Sequence, residues 1–130
     1  MGIKYLWDTN TSIYYLQQQF PRHSEKLIDD IVEKYKIAIS AITEIELYCW
    51  KYATSEDVII LHEFVNEAVV IELEQEIKFK TAELRKSCKI KLPDAIIAST
   101  SIVYNLTLIT RNVKDFAHIP DLKILNPYEI

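Results

Sequence analysis

The segment Ile3-Lys4-Tyr5-Leu6-Trp7-Asp8-Thr9-Asn10-Thr11 decides the fold of this chain. It opens with residues that favour β-structure, and a helical pattern starts at Ser12, after a run of small polar residues. We therefore predict a buried strand that ends at Asp8 and leads into a helix. Functional sites of open α/β sheets lie beyond the carboxyl ends of the strands, so Asp8 is a candidate site residue. The alternative is that Asp8 only caps the helix, a role that suits aspartate.

Short apolar segments and helical patterns alternate along the rest of the chain. We predict strands within 36–41 and 68–73, centred on 37–39 and 69–71, and at 106–110 and 122–125. We predict helices at 11–19, 24–35, 43–52, from 55 onward, at 75–87 and at 93–104, with a turn or short helix at 111–116. Strands that alternate with helices indicate a parallel sheet covered on both faces. At 130 residues the chain is expected to form one domain, residues 1–130.

The composition is that of a soluble globular protein, with 49% hydrophobic and 26% charged residues. No apolar run has the length of a membrane span, and the N-terminus lacks the pattern of a signal peptide. The two cysteines do not make a disulfide framework, so we expect a reduced, cytoplasmic setting. The net charge of −4 is not that of a typical nucleic-acid binder.

The distribution of charge says more than the sum. Residues 56–76 hold seven acids and no Lys or Arg, whereas residues 78–91 hold one acid and the bases Lys78, Lys80, Arg85, Lys86, Lys89 and Lys91. The basic run can be interpreted either as a solvated helix face or as a ridge that faces phosphates.

Acidic residues recur in settings comparable to that of Asp8. Glu46 follows the second predicted strand, Asp94 opens an apolar helix, and Asp115 follows the strand that ends near residue 110. Each also has a purely structural explanation: Thr43 and Glu46 match a capping box, as do Asn112 and Asp115, and aspartate suits the first turn of a helix. Glu44 and Glu46 are about 200° apart on a helical wheel, so only one of them is expected to face a common pocket.

If the strands are parallel, these acids converge at one edge of the sheet. Clustered carboxylates repel one another unless a cation neutralises them, and hard oxygen ligands select Mg²⁺ or Mn²⁺ rather than zinc. His23, His62 and His118 lack zinc-ligand spacing. A carboxylate cluster that holds Mg²⁺ is a common means of cleaving phosphodiesters.

Over essentially its whole length the chain resembles a PIN-domain ribonuclease of the VapC-type toxin class. The motifs that carry the resemblance are Trp7-Asp8-Thr9-Asn10, Thr43-Glu44-Ile45-Glu46-Leu47, Asp94-Ala95-Ile96-Ile97-Ala98, Thr110-Arg111-Asn112-Val113-Lys114-Asp115-Phe116 and the ending Leu122-Lys123-Ile124-Leu125-Asn126-Pro127. The resemblance implies a three-layer α/β/α sandwich around a parallel sheet of about five strands. It also implies a Mg²⁺- or Mn²⁺-dependent endoribonuclease that cleaves RNA, forms a homodimer and is inhibited by an antitoxin encoded beside it.

By position, the resemblance makes Asp8, Glu46, Asp94 and Asp115 the acidic quartet that binds the metal and catalyses cleavage. Asp8 and Asp94 would be the principal ligands, and Glu46 would act through water. Trp50 stands where a glycine is common in the family. Asn112 stands where an aspartate is common, so the fourth position of the quartet, which we call the fourth corner of the site, is taken by Asp115, by Asn112, or by both. Supporting positions are expected at Asn10, Thr110 and Asn112, and substrate contacts at Arg111, Lys114, Lys86, Lys89 and Lys91.

Two other functions fit parts of the same pattern. A phosphatase would use Asp8 as a nucleophile, but such enzymes usually place a second acid two residues later, where this chain has Asn10. A catalytically silent PIN-like binding module would not need all four acids. Several large aromatics, Tyr14, Tyr15, Tyr48, Trp50 and Tyr52, are expected to form part of a homodimer interface or an antitoxin groove.

Overall fold

The computed structural model describes residues 2–129. The strands are β1 (Tyr5–Trp7), β2 (Ala38–Ser40), β3 (Val69–Ile71), β4 (Thr107–Ile109) and β5 (Lys123–Leu125). The helices are α1 (Thr9–Leu16), α2 (Arg22–Lys34), α3 (Ala41–Tyr48), α4 (Ser55–Glu67), α5 (Gln75–Ser87), α6 (Leu92–Val103) and α7 (Val113–Phe116). None of the helices within residues 2–129 has the length and apolar character needed to cross a membrane.

The strands form a single five-stranded sheet in the order β3-β2-β1-β4-β5, and the paired strands are parallel. Leu6 of β1 pairs with Ala38 of β2 on one side and with Leu108 of β4 on the other. From β1 the chain adds β2 and then β3 on one side, and it later adds β4 and β5 on the other side of β1. The carboxyl ends of β1 and β4 flank this reversal, which is where open α/β sheets form their binding crevices.

Helices cover both faces of the sheet, because successive strand residues point to opposite sides. Leu6 and Leu108 enter a core with apolar residues of α5 and α6, and Trp7 and Ile109 enter a second core with residues of α2, α3 and α4. The predicted parallel sheet and the three-layer sandwich are confirmed. Short, doubly buried strands explain why the sequence shows apolar runs rather than an alternating pattern.

Most helix starts differ from the prediction by one or two residues, and α1 begins at Thr9 rather than at residue 11. Helix α3 begins at Ala41, because Ser40 is its N-cap and its hydroxyl accepts a hydrogen bond from the Ile42 N–H at 3.2 Å. Thr43 is therefore inside the helix and fully buried, so the capping box predicted for Thr43 and Glu46 is wrong. Helix α2 begins at Arg22, so Ser24, where the prediction places the helix start, is a buried residue inside the helix.

Candidate active site

Asp8 lies at the carboxyl end of β1 and caps α1. Its Oδ1 accepts a hydrogen bond from the Thr11 N–H at 2.8 Å, so the capping role is real. The side chain is only 6% exposed. Burial raises the pKa of Asp8 above its usual value, and hydrogen bonds from Thr11 and Thr110 oppose that rise only in part. The Asp8 carboxylate therefore serves the fold as a helix cap while it lies buried at the sheet edge.

Glu46 projects from α3 toward the start of α1. The Thr9 hydroxyl lies 2.5 Å from Glu46 Oε1, to which it donates, and 3.2 Å from the Thr43 hydroxyl. Glu44 is turned away from this contact, and its Oε2 accepts a hydrogen bond from the Tyr48 hydroxyl at 2.7 Å. The structure therefore separates the two glutamates in the direction predicted from the helical wheel.

Asp94 stands in the first turn of α6, next to Pro93 at the helix start. Burial of the carboxylate raises the pKa of Asp94, and the negative charges of Asp115, Glu46 and Asp8 raise it further. The positive charge of Lys91 acts in the opposite direction. The other three acids therefore lie near enough for their charges to act on Asp94, although the four come from different helices or strand ends.

The fourth corner is occupied by a hydrogen-bonded pair. The side-chain amide of Asn112 donates to Asp115 Oδ2 at 2.6 Å, and both residues are exposed. Asn112 makes no side-chain cap of α7, so the predicted capping box is wrong here as well. Its own backbone N–H donates to Thr110 Oγ1 at 3.0 Å, and this buried threonine also reaches Asp8. Thr110 thus links the two sides of the site.

Three of the acids line one cavity of about 130 Å³, which we call the acid cavity. Its lining residues are Asp8, Thr9, Asn10, Glu46, Asp94, Ile97, Asn112 and Phe116. Asp115 is outside this lining, but its hydrogen-bond partner Asn112 is part of it. The supporting positions predicted at Asn10 and Asn112 are therefore at the cavity wall.

The donor chemistry of the acid cavity suits a hard divalent cation. Carboxylate and amide oxygens are the ligands that Mg²⁺ and Mn²⁺ prefer. Burial raises the pKa of both Asp8 and Asp94, and the neighbouring acids raise that of Asp94 further, so a cation would favour the ionised form of both carboxylates. Within residues 2–129, however, no three Asp, Glu, His or Cys side chains lie close enough to hold one ion as they are placed. Glu46 is hydrogen-bonded to Thr9, and Asp115 is hydrogen-bonded to Asn112. The acids therefore surround the cavity, but their carboxylates do not converge on one ion position.

The predicted basic residues divide among different surroundings. Lys89, Lys91 and Lys114 line a cavity of about 490 Å³, which we call the basic cavity, together with Arg85, Ile90, Asp94, Asp115 and His118. Lys86 is exposed on α5 and does not line it. Arg111 lines a separate cavity, together with Asp8, Asn10, Tyr14 and Asn112, that shares no residue with the basic cavity.

Sequence reasoning missed several residues around the site. Thr9 was not singled out, although its position after the strand-end aspartate is a usable signal. The Tyr128 ring makes a cation–π contact with Arg111, and His118 lines the basic cavity. Neither could be found from local spacing, because the chain brings them to the site from separate segments.

The chain is similar to known proteins over nearly its whole length. The family described as PIN domain matches residues 5–122. The chain is 30% identical over 133 residues to Ribonuclease VapC2 of Rickettsia felis, an alignment that covers 94% of this chain and 96% of that protein.

Among solved structures, the chain is similar to a toxin–antitoxin complex from Klebsiella pneumoniae, with 33% identity, a TM-score of 0.78 and coverage of 98% of this chain and 100% of that one. It is also similar to VapBC2 from Rickettsia felis bound to a DNA fragment from their promoter, with 27% identity, a TM-score of 0.76 and coverage of 97% and 98%. These likenesses extend over nearly the full length of both partners in each comparison.

Proposed function

We propose, from the premise that this chain belongs to the PIN-domain family, that it is a Mg²⁺- or Mn²⁺-dependent endoribonuclease and the toxin of a toxin–antitoxin pair. The observation that carries the proposal is the meeting of Asp8, Glu46 and Asp94 around one cavity at the carboxyl edge of a parallel sheet. The relative named Ribonuclease VapC2 supports the reaction class, and the toxin–antitoxin complex supports the biological role.

Each residue of the acid cavity has a distinct role in this proposal. Asp8 and Asp94 would hold the cation, Glu46 would orient the attacking water, and Asp115 with Asn112 would complete the fourth corner. When bound, the cation supplies an activated water and stabilises charge on the phosphate oxygens. Thr9 and Thr110 keep Glu46 and Asp8 in place by hydrogen bonding, which is the usual function of groups behind metal ligands.

Asp8 is poorly suited to act as a phosphatase nucleophile. One of its oxygens is bonded to the Thr11 N–H, and the residue two positions later, Asn10, has no acidic proton to give a leaving group. A catalytically silent binding module is the second candidate, because Glu46 and Asp115 already have hydrogen-bond partners within the protein. Metal-dependent cleavage of RNA separates that candidate from the nuclease.

The test uses purified protein and bacterial total RNA, with new 5′ ends mapped by sequencing. Discrete cuts should form with Mn²⁺ or Mg²⁺, cease in EDTA, and fall at least about a hundredfold in Asp8→Asn. Glu44→Gln is the matched control, since its carboxylate faces Tyr48 instead of the acid cavity. Full cleavage in chelator, or undiminished cleavage by Asp8→Asn, would refute the mechanism.

The proposed antitoxin needs a docking surface, and a groove between α1, α2 and α4 supplies one. Two cavities of about 350 and 510 Å³ share Tyr15, Leu16 and Ile60. Acids rim both cavities: Glu63 and Glu67 in one, Glu25 and Asp29 in the other. Apolar walls with an acidic rim suit an amphipathic helix that carries basic residues.

This groove can be tested by co-expression with the antitoxin that the proposal implies. Ile60→Arg should reduce co-purification of the two proteins strongly, because it places a charge on the apolar wall. Ile59→Arg is the control, since Ile59 is 60% exposed and lines neither cavity. Equal loss in both variants would mean that the groove is not the contact surface.

A further inference from the structure

Three cavities join into one path across the acids. The acid cavity shares Asp8, Asn10 and Asn112 with the cavity of about 250 Å³ that contains Arg111, and it shares Asp94 with the basic cavity. A strand whose phosphate lies at the acids would therefore extend into a different cavity on each side. The two flanking cavities differ in chemistry, which gives the path a direction.

The basic cavity is suited to a phosphate backbone. Its lining combines four basic side chains and a histidine with Ile90 and two acids, and it includes no aromatic ring other than that of His118. Arg85 is partly committed to the fold, because its guanidinium donates to the Ile90 carbonyl at 2.7 Å. Lys89, Lys91 and Lys114 are left as flexible point charges, which attract phosphates without regard to base.

The cavity that contains Arg111 has aromatic side chains beside it. The Arg111 guanidinium carbon lies 4.5 Å from the centroid of the Tyr128 ring, and Tyr14 lines the same cavity. Tyr128 is itself packed against Tyr14 and Phe20, with ring centroids 6.0 and 5.8 Å apart. The segment is also tied back to α2, since the His23 ring lies 3.2 Å from the Tyr128 carbonyl oxygen. Arg111 therefore rests on an anchored ring, although it is exposed.

Arg111 has no other partner within residues 2–129: it makes neither a salt bridge nor a side-chain hydrogen bond there. A guanidinium that is positioned by an aromatic ring and keeps its donors free, next to a buried carboxylate, is a ready contact for a nucleotide. Single-stranded RNA is bound in this way, with bases stacked on aromatic rings or on arginine planes.

We propose that Arg111, supported by Tyr128, is the positioning residue that stacks an RNA base on one side of the cleaved phosphodiester, while the basic cavity holds the backbone on the other. This inference rests on the proposed function for the position of the cut, but the binding asymmetry can be measured without cleavage. The site takes one unpaired nucleotide of a single strand.

The test measures RNA binding in the Asp94→Asn background, so that no substrate is consumed. The probes are a fluorescent random-sequence RNA decamer and an abasic ribose-phosphate decamer of the same charge. With Arg111 present, the protein should prefer the base-carrying probe about tenfold. Arg111→Lys keeps the charge but loses the planar group, and it should abolish that preference while binding the abasic probe as before.

Lys91→Gln is the matched control from the basic cavity. It should weaken binding of both probes by the same factor and reduce the salt dependence of binding. The base-stacking role would be overturned if Arg111→Lys kept the preference for the base-carrying probe, or if Lys91→Gln lost that preference to the same extent as Arg111→Lys. Failure to bind either probe would overturn it as well. If the predicted binding pattern occurs but the wild type does not cut RNA, the endoribonuclease proposal fails and the base site stands.

Discussion

The two glutamates of α3 offer the sharpest test of the acid cavity, because they are two residues apart and point in different directions. Glu46→Gln changes a side chain that lines the acid cavity and accepts from Thr9 at 2.5 Å. Glu44→Gln changes one that accepts from Tyr48 at 2.7 Å, outside the cavity. The substitutions are identical in volume and chemistry, so any difference between them reports position.

The expected change in stability is small for both variants. Glutamine still accepts a hydrogen bond, but a neutral acceptor is weaker than a carboxylate by about 1 kcal/mol. For Glu46→Gln this loss is offset by the removal of a negative charge that acts on Asp94. The free energy of unfolding without metal should therefore change by less than about 1 kcal/mol, which corresponds to a Tm change of no more than about 4 °C for a chain of this size.

The expected change in activity is large for only one of them. If Glu46 orients the attacking water or its metal, Glu46→Gln should lower the single-turnover cleavage rate about a hundredfold, equivalent to about 2.7 kcal/mol of transition-state stabilisation. Glu44→Gln should cleave within about twofold of the wild type. The assay follows one mapped RNA cut in Mn²⁺, with thermal melting of each variant in EDTA as the control for folding.

The refuting results are distinct. If Glu44→Gln loses activity and Glu46→Gln does not, the assignment of the site to the Thr9 side of α3 is mistaken. If neither variant loses activity, Glu46 only positions Thr9, and the site consists of the aspartates.

Three further outcomes follow from the same structure. Mn²⁺ at about 100 times its dissociation constant should stabilise the fold by about 2.7 kcal/mol, and Asp8→Asn should abolish most of that gain in a thermal melt; an equal gain in the variant would place the ion elsewhere. The pKa of Asp94 is raised in the folded state, so its contribution to stability is full below about pH 3.8 and is lost as pH rises through the raised pKa. At pH 7 without metal, Asp94→Asn should therefore be more stable than the wild type in urea titrations. A variant less stable than the wild type would argue against clustered acids. We also propose that the homodimer implied by the family resemblance uses the exposed apolar side chains Ile45, Tyr48 and Tyr52. Tyr52→Ser with Ile45→Ser should then shift the mass seen by light scattering toward a monomer, and a monomeric wild type would exclude this interface.

The sequence by itself determined the layer architecture and the four acids worth testing. Short apolar strands separated by helices leave few alternatives to a parallel sheet. Helix α5 appears at the predicted bounds, and β3 lies within the predicted segment 68–73. Asp8 could be singled out because a strand followed at once by a helix places its last polar residue at the sheet edge. The prediction that Glu44 and Glu46 face apart needed only helix geometry.

The tertiary structure alone decided which side chains have partners. Thr43 lost its capping role because Ser40 caps α3 earlier, and this choice depends on where β2 ends within the sheet. The meeting of Arg111 with Tyr128 likewise joins residues far apart in the chain, after β4 and β5 have been placed side by side. Local patterns record the preferences of neighbouring residues, whereas hydrogen-bond and stacking partners are selected by long-range packing, which no window of sequence contains.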